Sequence, residues 1–393
     1  MSSHKMHVAA IGLLALVAWG CAPAPTVAPA AKPTALPTAL TLPTPGPANP
    51  VLPTATAAPA GSASPTPLPS GPRELVLMSH DSFSASDDVI KAFETANNAT
   101  VKVLKSGDAG AALNKAILAK SSPLADAFFG VDNTFLSRAI QADIFQAYKP
   151  ANAAKIPSQF VLDQEFRLTP TDYGDVCLNY DRAFFQKKNL TPPATLEDLV
   201  KPQYKSMTVV INPATSSPGL AFLIATVGRF GQDNYITYWK ALRANDVLVS
   251  EGWEDAYYAK STWGGKGGDR PIVVSYATSP AAEVFFSNGA LTQPPTGNVL
   301  GDSACFRQIE FVGVLKGARN PDLATKFVDF MLSTQFQEDV PAQMFVYPVM
   351  PDAKLPDFYK FAEVAKNPAA ISAAEIDANR DAWIKAWTEA VLR

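Results

Sequence analysis

Histidine is nearly absent. His4, His7 and His80 are the three in 393 residues, and the first two precede the apolar stretch Val8–Gly20. A Ser-His-Asp hydrolase or a multi-histidine metal site would therefore depend on His80 alone. No G-x-S-x-G, H-E-x-x-H or Walker loop occurs either. Basic excess is lacking too: after residue 72 there are 31 Lys and Arg against 36 acids, which argues against DNA, RNA or anionic lipid as a partner and suits a cationic small ligand. Val8–Gly20 is about two thirds of the length needed to span a bilayer and follows Lys5, so residues 1–20 read as an export signal.

Residues 21–72 lack aromatics, carry the single charge Lys32 and hold 15 of the 34 prolines. Such a stretch cannot bury a core and reads as an extended tether. The signal ends Val17-Ala18-Trp19-Gly20-Cys21, a pattern that resembles a bacterial lipoprotein signal in which Cys21 becomes the lipidated first residue. The alternative is ordinary signal cleavage with Cys21 a free thiol. Two or more acyl chains hold a protein on a membrane surface, so a lipid-anchored extracytoplasmic domain is expected. Beyond the tether stand Cys177 and Cys305, which form either one disulfide closing a long loop or two separate buried thiols.

From Glu74 onward short apolar runs alternate with helical periods, the pattern of an α/β protein. Strands are expected at 75–78, 101–104 and 125–129, with helices beginning at Ser86 or Asp87 and at Ala111. A second set has strands at 176–180, 209–211, 272–275 and 307–314. Its helices fall at 218–229, 235–243, 323–333 and 373–392. Ser217 is expected to cap a helix that has Pro218 at its first position. About 320 residues usually make two lobes, and open α/β sheets take ligands beyond the carboxyl ends of their strands.

Eight blocks of the sequence, in order, are HDSF (80–83), ADAFFGVDNT (125–134), TDYGDVCLNYD (171–181), NPATSSPG (212–219), EGWEDAY (251–257), VVSYATSPA (273–281), VYPV (346–349) and RDAWIKAW (380–387). Over nearly all of residues 74–393 the chain thereby resembles the thiamine-binding proteins of bacterial ABC uptake transporters. The resemblance implies a type II periplasmic-binding-protein fold: two α/β lobes with a cleft between them, joined by crossing strands near 169–175 and 303–308. Lobe 1 would comprise 74–172 and 308–393, and lobe 2 residues 173–307. It also implies ligand contacts at Asp108, Ala109, Ser216, Ser217, Trp253, Tyr276, Ala277, Thr278 and Ser279. Phe345 stands where the family pattern has a tryptophan, and His80 where it has a tyrosine.

Thiamine is a cationic thiazolium joined to an aminopyrimidine, with a hydroxyethyl arm that carries phosphate in its esters. Trp253, Tyr276 and Phe345 suit the cation, Asp81 or Asp108 would accept from the amino group, and Ser216 and Ser217 at a helix start suit the hydroxyl or phosphate end. The implied protein is a monomeric, non-catalytic receptor with no cofactor and no metal, delivering thiamine or thiamine phosphate to an ABC permease.

Other readings compete. Tyr257 and Tyr258 with His80 and Asp108 imitate a ferric-iron set. A thiaminase-like enzyme would need Cys177 or Cys305 free in the cleft. The Pro/Thr tether taken alone suggests an adhesin. Glu310 is expected to serve structure as an interlobe salt-bridge residue, the alternative being that it points to the cleft, and Trp383 and Trp387, four apart on the last helix, are expected to pack in the core.

Overall fold

The computed structural model describes residues 72–393; the signal 1–20, the Cys21 anchor and all of the tether except Pro72 lie outside the described residues. The chain runs β1 (Arg73–Ser79), α1 (Asp87–Asn97), β2 (Ala99–Lys105), α2 (Ala109–Leu118), β3 (Ala127–Asp132), α3 (Leu136–Gln141), β4 (Phe145–Gln146) and the long β5 (Thr169–Asp181). It continues through α4 (Arg182–Lys188), β6 (Thr208–Ile211), α5 (Ser217–Phe230), α6 (Tyr235–Ala244), β7 (Leu248–Ser250), β8 (Ile272–Tyr276), α7 (Ser279–Phe286) and β9 (Thr296–Val299). The second long strand, β10 (Phe306–Leu315), precedes α8 (Pro321–Met331), α9 (Thr334–Gln343), β11 (Tyr347–Pro348) and α10 (Ala373–Val391).

The sheet order is β2-β1-β3-β10-β5-β8-β6-β7. β1 pairs in parallel with β2 and β3, and β6 in parallel with β7 and β8. Every residue of β3 and of β6 is buried, as expected for strands covered on both faces. The two parallel blocks are joined through β10 and β5, which pair antiparallel from Phe306↔Val176 to Val312↔Thr169. Beyond Val176, β5 leaves β10 and pairs with β8. One apolar cluster gathers Phe93, Phe129 and Phe327; another contains Phe222, Trp239 and Trp387. Trp387 meets Trp239 edge-on at 5.6 Å and Trp383 is buried, so the expected packing role of both α10 tryptophans holds.

Three local expectations shift for identifiable reasons. Asp126 ends a loop instead of lying in a strand, because its carboxylate accepts from the Val76 and Asn320 amides. α2 starts two residues early, at Ala109, because Asp108 is its N-cap and accepts from the Ala109 amide. α5 is capped by Ser216, not Ser217: Ser216 has extended backbone and accepts from the Gly219 amide, leaving Ser217 first and Pro218 second. Cys177 and Cys305 form one disulfide. Both are fully buried, so neither supplies the sulfur nucleophile that the thiaminase-like reading needs.

Candidate ligand-binding cleft

The segments that follow the carboxyl ends of β1, β2, β6, β7 and β8 converge on a cavity of about 920 Å³. Nine of the eleven contact residues expected from sequence line it: Asp81, Asp108, Ala109, Ser217, Trp253, Tyr276, Thr278, Ser279 and Phe345. Ser216 does not, since it is fully buried as the α5 cap. Ala277 also does not, because its side chain packs with the Cys177–Cys305 disulfide. Three helix N-termini, those of α2, α5 and α7, place residues on the lining, where the helix dipoles favour an oxygen-rich or anionic group.

One wall is aromatic. Trp253 stacks on Tyr257 at 5.0 Å and 20°, and Tyr258 meets both rings edge-on at 5.6 and 5.3 Å. Hydrogen bonds fix these rings. Trp253 Nε1 donates to Ser275 Oγ at 2.9 Å, and that hydroxyl lies 2.9 Å from Ser279 Oγ. Tyr276 donates to Gln308 Oε1 at 2.8 Å, while Gln308 Nε2 donates to Ser217 Oγ at 2.7 Å. At the rim, Phe345 approaches Phe286 to 4.9 Å. Its backbone is left-handed, with φ 56°, an uncommon state for a bulky residue and one that concentrates at ligand sites.

The floor is acidic. Glu310, expected to serve structure, lines the cavity, with Asp132 and Asp172 buried beside it. His80 Nε2 lies 3.2 Å from Glu310 Oε1 without the alignment of a hydrogen bond. Burial pushes Asp108 up, against amide bonds from Trp253 and Ala109 that pull it down. Burial holds Asp132 at about 7 and Glu310 at about 8, and burial with the Glu310 charge drives Asp172 well above the usual carboxylate range. Burial also lowers His80, which keeps the imidazole neutral. Sequence reading gave no role to Asp132 or Asp172; the available signal was an acid at the end of β3 and another inside β5, in strands that otherwise read as buried.

Glu283 and Trp263 line the same cavity unforeseen. Tyr257 donates to Glu283 at 2.5 Å and Thr296 donates at 2.6 Å. Tyr257 therefore does not present its hydroxyl to His80 and Asp108 as a ferric set would require. Among the described residues no group of three His, Cys, Asp or Glu is placed to hold a metal ion.

This is the fold of the type II periplasmic binding proteins, two-lobed receptors that hold a solute between the lobes. The chain belongs to the bacterial extracellular solute-binding protein family, whose match covers residues 122–366. The thiamine-binding periplasmic protein of Salmonella typhimurium strain LT2 is 31% identical over 329 residues, 81% of this chain and 94% of that protein. Its counterpart from Escherichia coli K12 is 30% identical over 329 residues, with the same shares covered. A solved periplasmic thiamin binding protein superposes with a TM-score of 0.72 at 27% identity, over 82% of this chain and 99% of that one.

Proposed function

We propose that this receptor captures thiamine or a thiamine phosphate outside the cytoplasm and delivers it to an ABC permease, acting as a monomer held to the membrane by lipid on Cys21. Binding is non-catalytic. The observation that carries the reading is an aromatic wall facing a carboxyl floor, with helix N-termini at the same cavity. The wall and floor suit the thiazolium and the aminopyrimidine, and the helix starts suit the hydroxyl or phosphate arm. The relatives named for thiamine support it. The lobes are residues 74–172 with 308–393, and residues 173–307. The contacts are the nine lining residues together with the α5 start that Ser216 caps and the α7 start that Ala277 precedes.

Calorimetric titration tests this on protein stripped of carried-over ligand by unfolding and refolding. Saturable one-to-one binding of thiamine, or tighter binding of its phosphates, is the expected result. Absence of binding to all of them would leave the fold and discard the ligand.

A further inference from the structure

Asp132, Glu310 and Asp172 stand in one row across three adjacent strands: Glu310 on β10 is in register with Asp132 on β3 and with Asp172 on β5. Both ladders are irregular beside it, between Phe311 and Val312 toward β3 and between Glu310 and Phe311 toward β5. Such bulges re-aim a side chain, and here the middle carboxyl lines the cavity while its neighbours lie fully buried. Like charges directly opposite across strands repel. Asp132 Oδ1 accepts from Thr134 and Asp172 Oδ2 from Thr171; the Asp172 and Glu310 carboxyls are close enough to share a proton and Gln308 approaches Asp132, while Asp132 Oδ2 and Asp172 Oδ1 meet no partner of good hydrogen-bond geometry. Among the described residues no lysine or arginine pairs with any of the three; Arg307 is held by Asp175.

We propose that this row selects the charge of the ligand: it holds protons while the cavity is empty, and an organic cation entering over Glu310 displaces one of them to solvent. The proposal deepens the thiamine reading and rests on it. In the exchange Glu310 loses its carboxyl proton and the ligand's positive charge replaces it, so the occupied cavity carries no extra net charge. The groups facing the row are His80 after β1, Asp108 at the start of α2, Gln308 on β10, Tyr276 on β8 and Tyr359 ahead of α10, with Asp81 and Lys105 acting on His80. His80 does not take the displaced proton, since burial disfavours the imidazolium and the ligand's charge disfavours it further. Glu310 at about 8 and Asp132 at about 7 put the exchange in the neutral range. A neutral sugar or an anion would leave the row protonated and gain nothing from it.

Titrating the full chain with thiamine in two buffers of different ionisation enthalpy counts the protons directly. Wild type is expected to release up to about one proton per thiamine near pH 6.5, with affinity rising as pH climbs from 6 to 8.5. Glu310→Gln is expected to release none, to lose the pH dependence, and to bind at least about tenfold more weakly at pH 8.5. Tight thiamine binding by wild type with no proton exchange anywhere between pH 6 and 8.5 would overturn the inference and leave the thiamine reading intact. Release that persists in Glu310→Gln and in Asp172→Asn would also overturn it. Failure of wild type to bind thiamine at any pH overturns the thiamine reading and this inference with it. The wild-type proton count decides the matter even if a variant does not fold.

Discussion

The Trp253 backbone amide donates to Asp108 Oδ2 at 2.9 Å across the cleft, joining residues 145 apart in the chain. The other oxygen of the same carboxylate accepts from the Ala109 amide at 2.7 Å and caps α2. One side chain thus ties the start of a helix in the first parallel block to the aromatic wall of the second.

That contact uses the Trp253 backbone, so Trp253→Ala removes the ring and spares the tie. The ring's stacking on Tyr257 and its face toward a cationic ligand are together worth on the order of 0.5–2 kcal/mol beyond area burial. Thiamine affinity is expected to fall at least about tenfold, with the circular dichroism of the ligand-free chain unchanged. Calorimetry that found equal affinity would remove Trp253 from the contact set.

Gly110 marks how closely the two sides approach. A Cβ there would lie 2.9 Å from the Thr215 carbonyl oxygen and 3.0 Å from Phe135 Cζ, and the Ala111 amide donates to that same Thr215 oxygen at 3.1 Å. Gly110→Ala is expected to hold the lobes apart, weakening thiamine binding about tenfold while the ligand-free melting temperature moves by only a few degrees. Small-angle scattering with and without thiamine checks it: full ligand-induced compaction in the variant would show that the close approach does not govern closure.

The buried acids predict an unusual pH profile for the empty receptor. Burial raises Glu310 to about 8, and Asp132 and Glu283 to about 7, against roughly 4 for unfolded carboxyls. Groups that hold protons more tightly when folded stabilise fully below their unfolded value, and that stability is lost as pH rises through the folded value. Asp198, held at about 2 by bonds from Lys201 and nearby amides despite the burial that opposes them, acts in the opposite sense, its contribution fading below about pH 4. The ligand-free melting temperature is therefore expected to fall between pH 5 and 8.5, and Glu310→Gln to flatten the decline. A melting temperature that rises across that range by differential scanning calorimetry would contradict the assignment of protonated acids to the floor.

The alternation of apolar runs and helical periods made the β-α-β units legible in the sequence, because strands such as β3 and β6 are buried along their whole length. The segments after β1, β2, β6 and β8 pointed to one part of the cavity lining, His80, Asp108, Ser217 and Tyr276 among it, because ligands gather at strand ends, whereas the wall from Glu251 to Lys266 was not indicated in that way. Helix starts were less legible. Asp108 and Ser216 became caps through backbone geometry that a run such as Thr215-Ser216-Ser217 leaves undecided by one residue. The acidic row was not legible, since Asp132, Asp172 and Glu310 are 40 and 138 residues apart in sequence and become neighbours only through strand register and two bulges. The disulfide was undecided for a similar reason, spacing alone placing neither sulfur.

That disulfide joins β5 to the loop ahead of β10, closing 128 residues of chain. Restricting so long a loop in the unfolded state is worth about 4–5 kcal/mol in the chain-entropy account, and removal of native disulfides commonly costs 2–5 kcal/mol. Replacing both cysteines by serine is therefore expected to lower the urea midpoint markedly. Because both sulfurs are buried behind Ala277 and outside the cavity lining, thiamine affinity measured well below that midpoint is expected to stay within about threefold. A larger loss would mean that the bond also sets the position of the Tyr276–Ser279 segment. Thiamine recovered intact after long incubation with reduced wild-type protein is the companion expectation, and cleavage at its methylene bridge would return a cysteine nucleophile to consideration.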